Sequence, residues 1–369
     1  MDRRETERLL DGIRRARAAG EPLALATIVR VRGSAYRREG TRMLVRRDGT
    51  YECALSGGCL EPAVAVAAAR VIASGEPVVV SYDLTDESIW GLGIGCSGAV
   101  DIRIERLDED DILTEWLRVL EQGERAVLVT PLAGASGRAI VRSGEVLGHL
   151  TDPGVERDAI ARARDRLRDQ YGASGSERSG DSEVFFEISV PPPELIIFGA
   201  GDDAVPVARL GWTLGFVVTV VDVRETLLAP DRFPDATLVC AHFGDFGAKV
   251  RLRAGSFAIV MNHQLERDRQ SLRFCLESDA SYIGVLGPRS RYQNLLDGLA
   301  GEGYVPDPSK LSRVRSPVGL SLGAETPEEV AVSIVAEILA IRRGFEGGFL
   351  SGSVGSLHRP EDSRLLARS

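Results

Sequence analysis

The chain has 369 residues, enough for two domains, and 44% of them are hydrophobic, enough for ordinary cores. Its formal net charge of −9 argues against a general nucleic-acid-binding protein, because such proteins need a basic face. No run of about 18 apolar residues occurs, so we expect no membrane insertion. The Arg- and Glu-rich N-terminus has no apolar stretch like that of a secretory signal.

The cysteines and histidines do not indicate a structural metal site or a disulfide framework. The five cysteines are odd in number and widely spaced, no CxxC pair occurs, and the chain has only four histidines. Proteins that keep free thiols are typical of reducing compartments. We therefore predict a cytoplasmic protein.

The first part of the chain contains predicted elements whose order repeats. A helix over 5–19 precedes the apolar strand LALATIVRV, a hairpin with Asp48-Gly49 at its turn, a helix over 62–73 and two further strands. A helix, a glycine and a strand follow again in the same order. We interpret residues 5–106 and 110–190 as two degenerate copies of one unit.

Two glycine-containing segments occur in the first copy only. SGGCLEP, residues 56–62, has only Thr151-Asp152-Pro153 as its counterpart, and SYDLTDESIWGLGIGCSG, which contains the second glycine loop, corresponds to the polar stretch GASGSERSGDS. A segment that one copy lacks is not needed by the shared scaffold. Because loops on a scaffold carry chemistry, we expect these two segments to be functional.

Three successive prolines in VPPPE predict a domain boundary near residue 190. Beyond it, strands and helices alternate, which predicts a Rossmann-like, doubly wound parallel sheet. The predicted fold class is therefore α/β, with an N-terminal α+β domain (1–190) that contains the internal degenerate repeat and a Rossmann-like domain (191–345). The Gly/Ser/Arg-rich tail, residues 346–369, is expected to be flexible.

A glycine motif, GAGDDA, lies between the first predicted strand and helix of the second domain. Gly199 would permit the tight turn, Gly201 would let the backbone approach a diphosphate, and Asp222 ends the next strand where a ribose-binding carboxylate would lie. Asp202 and Asp203, however, place carboxylates where an anionic diphosphate would bind. The motif leaves three alternatives open: an adenine dinucleotide such as NAD(P), a related nucleotide or pterin, or a vestigial site.

Two cysteines lie in the glycine loops of the first copy. Cys59 precedes a predicted helix N-terminus, where the helix field and exposed amides would stabilise a thiolate, and Cys96 lies in GLGIGCSG. For Cys53, Cys240 and Cys275, which lie in strand or helix patterns, we predict the ordinary role of a small buried hydrophobic residue. The loops around Cys59 and Cys96 supply further candidate binding residues: Gly57, Gly58, Glu61, Gly95 and Gly98.

Four arginines surround Gly33-Ser34, and they are Arg32, Arg37, Arg38 and Arg42. Such a cluster could hold a phosphate or pyrophosphate through bidentate contacts. A solvated loop is the alternative, and the sequence does not decide between the two.

Polar residues also follow the strands of the second domain. His242, Asn262, His263 and Arg289 lie at predicted carboxyl ends, where α/β domains place ligands. A single histidine is more often structural than a ligand contact. Because all four residues lie at equivalent strand ends, we nevertheless treat them together as one candidate pocket.

Several segments together resemble the XdhC/CoxI family of accessory factors for molybdenum hydroxylases. In the first domain they are ATIVRVRGSAYRREGTRMLV, SGGCLEP and GLGIGCSGAVDI; in the second they are FGAGDDAVPVARLGWTLGFVVTVVD, ERDRQSLRFCLESDASYIGVLGPRSR and SPVGLSLGAETPEEVAVSIVAEI. The resemblance spans residues 5–343. The chain departs from it at Ser97, Asp202 and Ser321, where many members have Gly, His and Asp.

The resemblance implies a two-domain, commonly dimeric protein that binds mature molybdenum cofactor, as molybdopterin or its dinucleotide form. It would support the terminal sulfido ligand and deliver the cofactor to a xanthine-dehydrogenase-like or carbon-monoxide-dehydrogenase-like apo-enzyme. The implied partners are the large subunit of that apo-hydroxylase, a second copy of the chain and a cysteine desulfurase. Cys59 or Cys96 would contact the molybdenum–sulfur centre or pass on a persulfide sulfur.

We accordingly expect a cofactor-maturation chaperone rather than a catalyst. The competing interpretation is an NAD(P)-linked oxidoreductase that uses Gly199, Gly201 and Asp222. Such an enzyme needs a general acid or base, for which His242 or His263 is suitably placed. A third interpretation is an interaction scaffold without any ligand.

Overall fold

The computed structural model describes residues 3–33, 35–84, 98–107, 111–169 and 172–352. The chain divides into two compact units, one that contains Met1–Pro191 and one formed by Pro192–Ser351. Within the described ranges, no helix is long and apolar enough to cross a membrane.

The first half of the N-terminal unit runs helix, three strands, helix, two strands. Its elements are α1 (Arg3–Ala19), β1 (Leu23–Gly33), β2 (Arg42–Arg46), β3 (Tyr51–Glu52), α2 (Glu61–Ser74), β4 (Val78–Asp83) and β5 (Gly98–Arg106). The strands form an antiparallel sheet in the order β3-β2-β1-β5-β4. The hairpin predicted at Asp48-Gly49 is present, with Gly49 at a φ of 84° and the Thr50 N–H donating to Asp48 Oδ1 at 2.9 Å.

The second half repeats that order. Its elements are α3 (Asp111–Gln122), β6 (Ala126–Ala133), β7 (Gly137–Val141), β8 (Val146–Leu150), α4 (Pro153–Arg168), β9 (Gly175–Ser179) and β10 (Ser182–Ser189). Its antiparallel sheet has the order β8-β7-β6-β10-β9, which is the order of the first sheet strand for strand. The predicted internal repeat is confirmed as a repeat of topology.

The second half also contains a strand that its composition did not predict. The polar stretch GASGSERSGDS contains β9 and the turn to β10. A strand of Ser, Glu and Arg suits this position, since an edge strand needs polar residues to discourage further pairing. Polar composition concealed a strand there.

Each half buries one helix against its own sheet. In α2 the buried residues Val64 and Ala68 contact the first sheet, and in α4 Ala159 and Ala163 contact the second. Alanines at helical spacing let the helix backbone approach the strands closely. The remaining helices, α1 and α3, meet through a further cluster that includes Leu9 and Leu117.

The second unit is a parallel sheet with helices on both faces. Its strands are β11 (Glu194–Phe198), β12 (Val217–Asp222), β13 (Ala236–Cys240), β14 (Phe257–Val260), β15 (Tyr282–Val285) and β16 (Val314–Arg315). Its α-helices are α5 (Ala204–Thr213), α6 (Phe246–Lys249), α7 (Leu265–Glu277), α8 (Arg289–Gly301), α9 (Pro308–Leu311) and α10 (Pro327–Arg343). The order β13-β12-β11-β14-β15-β16, with every pair parallel, confirms the predicted Rossmann-like fold.

The two faces of this sheet have separate cores. One core contains residues of α5 and α10, and the other contains residues of α6, α7 and α8. The strand order reverses between β11 and β14, and in open α/β sheets ligands bind at such a point. The glycine turn after β11 and His263 after β14 flank it.

Candidate functional site

Several connections of the first sheet meet at one end. β1 ends at Gly33, opposite Gly98 at the start of β5, and the N–H of Leu84 after β4 donates to the carbonyl oxygen of Gly98 at 2.9 Å. β3 runs toward the same end, because it is antiparallel to β2, which is antiparallel to β1. Residues 53–60 and the start of α2 therefore lie at this end too.

The loop at this end, residues 55–61, is called the Cys59 loop below. Its shape depends on Glu61, whose side chain is fully buried. Glu61 Oε1 accepts the N–H groups of Leu55 and Ser56 at 2.9 and 2.7 Å, and Oε2 accepts the Ser56 hydroxyl at 2.6 Å. Burial raises the pKa of the Glu61 carboxyl, but these hydrogen bonds outweigh burial and hold that pKa below its usual range.

Ser56 organises the rest of the loop. Its Oγ accepts the N–H groups of Gly58 and Leu60, both at 3.2 Å, and the thiol of Cys59 at 3.4 Å. Cys59 is half-buried against the apolar core, whereas Gly57 and Gly58 are exposed with open space around them. The loop thus presents a thiol beside glycine backbone that a ligand could approach closely.

The corresponding segment of the second copy contains an equivalent of the Leu55–Glu61 hydrogen bond, which the sequence comparison did not predict. The N–H of Leu150 donates to Glu156 at 2.6 Å, and these residues are spaced as Leu55 and Glu61 are. The second copy therefore does not lack residues here. It winds them into the first turn of α4, so that Gly154 takes the position of Cys59.

The two helices also begin differently. Asp152 caps α4 by accepting the N–H groups of Gly154 and Val155 at 2.7 and 3.1 Å. The cap of α2 is Leu60, which makes no side-chain capping bond. Pro62 in this turn has no N–H, however, and the N–H of Val64 donates to the carbonyl oxygen of Leu60 at 3.0 Å, so the missing cap leaves few open backbone donors.

The four arginines of the β1–β2 connection do not form a phosphate site. Arg42 is buried and pairs with the fully buried Glu187 of β10; Arg37 pairs with Glu5. Arg32 makes two 2.7 Å hydrogen bonds to Asp101. Because a buried charge needs a partner, Arg42 is a structural residue, and the expectation that Arg42 binds an anion is corrected, whereas the partly exposed Arg37 already pairs with one carboxylate. Arg38 has no ion-pair partner within the described ranges.

In the second predicted loop, Gly95 and Cys96 lie outside the described residues, and Gly98 is a buried residue at the start of β5. Among the other cysteines, Cys275 is buried as predicted and Cys53 is half-buried, but Cys240 is exposed. Cys240 lies on β13, an edge strand, which explains why its strand pattern did not imply burial.

The glycine turn of the second unit is close to the backbone that follows β14. A Cβ on Gly199, whose φ is 119°, would lie 2.5 Å from the carbonyl oxygen of Met261, and one on Gly201 would lie 2.7 Å from Asp203 Oδ1. Packing against backbone within the unit therefore accounts for Gly199, whereas Gly201 meets only the end of the Asp203 side chain. Their presence alone does not imply a bound diphosphate.

Asp222 has a different role from the predicted one. Its Oδ2 accepts the N–H of Ala200 at 2.8 Å, which locks the glycine turn, and both oxygens accept hydrogen bonds from Arg224. Its side chain is 0% exposed, so it cannot hold ribose hydroxyls as it stands. Burial raises the pKa of this carboxyl, but the Arg224 and Ala200 hydrogen bonds outweigh burial and hold the pKa below its usual range.

Carboxylates occupy the start of α5. Asp203 Oδ2 lies 2.6 Å from His263 Nε2, and the exposed Asp202 pairs with Arg232 at 2.8 Å. His263 has a φ of 60°, which is uncommon for a residue with a side chain. Asp202 and Asp203 thus stand where a diphosphate would bind, and Arg232 and His263 already pair with them.

Of the remaining predicted residues, Asn262 lies against the glycine turn and lines a cleft together with Asp222. Asn262 is buried and donates to Asp268, which Arg291 also neutralises, so it belongs to a structural network. Arg289 and His242 are exposed. Sequence reasoning missed Ser56 as the organiser of the Cys59 loop, although its place in SGGC was a usable signal.

Comparison with known proteins identifies the family of the chain. The model of the XdhC and CoxI family matches residues 16–83, and the model of the XdhC Rossmann domain matches residues 195–338. A Bacillus subtilis (strain 168) protein, named as a probable subunit of xanthine dehydrogenase, is 32% identical over 332 residues, covering 88% of this chain and 94% of that protein. The chain belongs to the XdhC and CoxI family. The resemblance seen in the sequence is confirmed.

Two further members of this comparison are informative. A crystal structure of a protein described as a xanthine dehydrogenase, from Bacillus halodurans, has a TM-score of 0.76 at 32% identity and covers 96% of this chain and 98% of its own, which confirms the fold class. The molybdenum cofactor insertion chaperone PaoD of Escherichia coli (strain K12) is 25% identical over 349 residues, 94% of this chain and 87% of PaoD. These matches lend no support to the NAD(P)-linked alternative.

Proposed function

We propose that this XdhC-family protein binds molybdenum cofactor, supports the sulfuration of its terminal ligand and inserts it into a xanthine-dehydrogenase-like or carbon-monoxide-dehydrogenase-like apo-hydroxylase. It would work in the cytoplasm, as a homodimer, and its partners would be a cysteine desulfurase and the large subunit of the hydroxylase. The family membership and the likeness to PaoD support the cofactor as cargo. The geometry of the Cys59 loop supports the assignment of this function to particular residues.

The Cys59 loop suits the sulfur-rich end of this cargo. A thiolate is a soft ligand, appropriate to a molybdenum–sulfur centre or to carrying a sulfur atom. Ser56 Oγ accepts a hydrogen bond from the thiol and holds it in place. The Glu61 carboxylate accepts hydrogen bonds from the loop itself, so its oxygens are not available to the cargo. The exposed Gly57 and Gly58 let a bulky cofactor approach the backbone.

The anionic end of the cargo also has a suitable partner nearby. Arg38 precedes β2 on a connection at the same end of the sheet. We propose that Arg38, rather than Arg37 or Arg42, supplies the positive charge for the phosphate.

The decisive experiment measures cofactor retention. Purified protein is mixed with molybdenum cofactor, free ligand is removed by gel filtration, and molybdenum and oxidised pterin fluorescence are assayed. Near-stoichiometric retention by the wild type, with at least a tenfold loss for Cys59→Ala, is expected. Cys240→Ala is the matched control, because Cys240 is an exposed cysteine in the other unit.

The outcomes separate the parts of the proposal. Retention unchanged by Cys59→Ala would remove Cys59 from the site while leaving the carrier function intact. No retention by the wild type would contradict the carrier function itself. Activation of an apo-hydroxylase with retained cofactor, compared with and without a cysteine desulfurase and a sulfur source, then tests sulfuration and insertion.

A further inference from the structure

The outer face of α2 is apolar and exposed. Val66 is 59% exposed there and Ala73 is exposed too, while the opposite face packs Val64 and Ala68 on the first sheet. Val66, Arg70 and Ala73 follow one another at helical spacing, so they form one stripe along the helix. An exposed helix face with so few charges is typical of a surface that another protein covers.

The second copy of the unit shows that the scaffold does not require this apolar face. α4 is the counterpart of α2, with Glu156 at the position of Glu61. Five positions with alanine or proline in α2 have a charged residue in α4, and these pairs are Pro62 and Arg157, Ala63 and Asp158, Ala67 and Arg162, Ala69 and Arg164, and Ala73 and Arg168. Because the same fold forms with a charged helix face, the apolar face of α2 has a cause other than folding.

The apolar surface continues from α2 into β4, the strand that follows it. Val78 and Val79 are 39% and 40% exposed, although adjacent residues of a strand point to opposite faces of the sheet. β4 lies at the edge of the first sheet, and among the described strands it pairs only with β5. Its counterpart β9 has Ser, Glu and Arg at the edge of the second sheet. Polar residues discourage contacts at a sheet edge, whereas an edge that begins with valines favours them.

Two charged residues of opposite sign lie on this surface. Arg70 lies in the stripe and Glu76 lies between α2 and β4, and both are exposed. Neither forms an ion pair with a described residue, whereas Arg168 on α4 pairs with Asp165 of its own helix at 2.9 Å. A surface with one positive and one negative charge of this kind is complementary to itself about a two-fold axis, because each contact then occurs twice.

We propose that a second copy of the chain covers this surface, so that α2 and the start of β4 of two protomers meet about a two-fold axis. Arg70 of each protomer then pairs with Glu76 of the partner subunit. Both residues lie near the end of α2 that is away from the Cys59 loop, so the contact leaves both loops accessible to cargo. The inference rests on the homodimer of the proposed function and assigns the surface that forms it.

The test is the oligomeric state of the full chain, measured by sedimentation equilibrium at micromolar concentrations. Val66→Arg places an unpaired charge in the contact and should weaken the dimer by about tenfold or more. A second variant, Ala69→Arg with Ala73→Arg, copies the arginines that α4 has at these positions and should have the same effect. The matched control is Ala161→Arg, because Ala161 is the exposed counterpart of Val66 on α4.

Charge reversal tests whether the occupant is a second copy. Arg70→Glu or Glu76→Arg alone should weaken the dimer, and the two combined in one chain should restore it, because the ion pair re-forms with its signs exchanged. An unrelated partner would not be recovered by changes on this chain alone. A combined variant that stays dissociated would overturn the pairing of Arg70 with Glu76.

The remaining outcomes decide the surface itself. A dimeric wild type and control, with dissociated stripe variants of unchanged unfolding midpoint, support it, and stripe variants that stay dimeric overturn it. A monomeric wild type overturns the second copy as the occupant, and a loss of hydroxylase binding in Val66→Arg would then assign the surface to that enzyme. Cofactor retention by the same variants should be unchanged, so failure of the carrier function and failure of this surface are distinguished.

Discussion

The two copies within the N-terminal unit show how one scaffold carries two different loops. Both copies tie a buried leucine to a glutamate six residues later, through Leu55 and Glu61 in one and Leu150 and Glu156 in the other. Between these anchors, the second copy winds its residues into helix, whereas the first forms the Cys59 loop. What the copies share is therefore structural, and what they do differently marks the candidate site.

The comparison also distinguishes structural residues from candidate binding residues, which the sequence alone does not. Glu61 is a candidate binding residue by position, but its counterpart Glu156 does the same anchoring work in a copy without the cysteine. The role of Glu61 is thus to shape the loop that presents Cys59. Variants of the buried ion pair, the two glutamate anchors and the helix cap test this division.

The largest effect is expected where the copies are joined. Arg42→Met removes the partner of the fully buried Glu187 and should destabilise the N-terminal unit by roughly 3–5 kcal/mol. Arg42→Met combined with Glu187→Leu should lie within about 1–2 kcal/mol of the wild type, because it removes both buried charges. Urea unfolding of the full chain, with hydrogen exchange in β2 and β10, measures both. A single variant as stable as the double variant would show that the pair does not join the copies.

The next largest effect compares the two anchors. Glu61→Ala leaves two N–H groups and a hydroxyl without their acceptor and should cost roughly 2–4 kcal/mol. Glu156→Ala removes one such bond at a partly exposed position and should cost about 1 kcal/mol. Urea unfolding midpoints with hydrogen exchange at Leu55 and Leu150 provide the measurement. Equal costs would mean that the anchors are equivalent and that the Cys59 loop depends less on Glu61.

The third prediction concerns pH. Because hydrogen bonds hold the pKa of Glu61 below that of an unfolded glutamate, about 4.3, its stabilisation is present above that value and is lost as pH falls through the lower folded pKa. The difference in stability between wild type and Glu61→Gln should therefore shrink as the pH is lowered below about 4.3. Thermal unfolding across that pH range, with Glu156→Gln as control, checks it. A constant difference would contradict the assigned role.

The smallest effect concerns the helix caps. Asp152→Ala removes the side-chain cap of α4 and should cost about 1 kcal/mol of stability while leaving cofactor retention unchanged. Thermal unfolding and the retention assay measure the two quantities. A loss of retention would show that the second copy also takes part in binding.

Much of the architecture could be predicted from the sequence because it depends on local pattern. Apolar alternation, the Asp48-Gly49 turn and the glycine turn before α5 gave the elements their positions, and their recurrence revealed the repeat. β9 was not predicted because its residues are polar. It forms a strand because it pairs with β10, whereas its own composition does not indicate one.

The candidate residues divided along the same line. SGGCLEP could be chosen from sequence because glycines, a cysteine and a helix start lie together in the chain. Arg42 and Asp222 could not be assigned correctly, since their partners Glu187 and Ala200 come from distant segments. The sequence alone does not show whether a charged side chain is free or neutralised by a partner.

The family, the repeated unit, the Rossmann-like fold and the cysteine loop could be predicted because they depend on spacing along the chain. The charges that remain available depend instead on contacts between distant segments. Folding pairs Arg42, Arg32 and Asp222 and leaves Arg38 and Arg70 without ion-pair partners within the described residues. That selection is physical: burial makes an unpaired charge costly, so long-range contacts determine which charged groups can still bind a ligand.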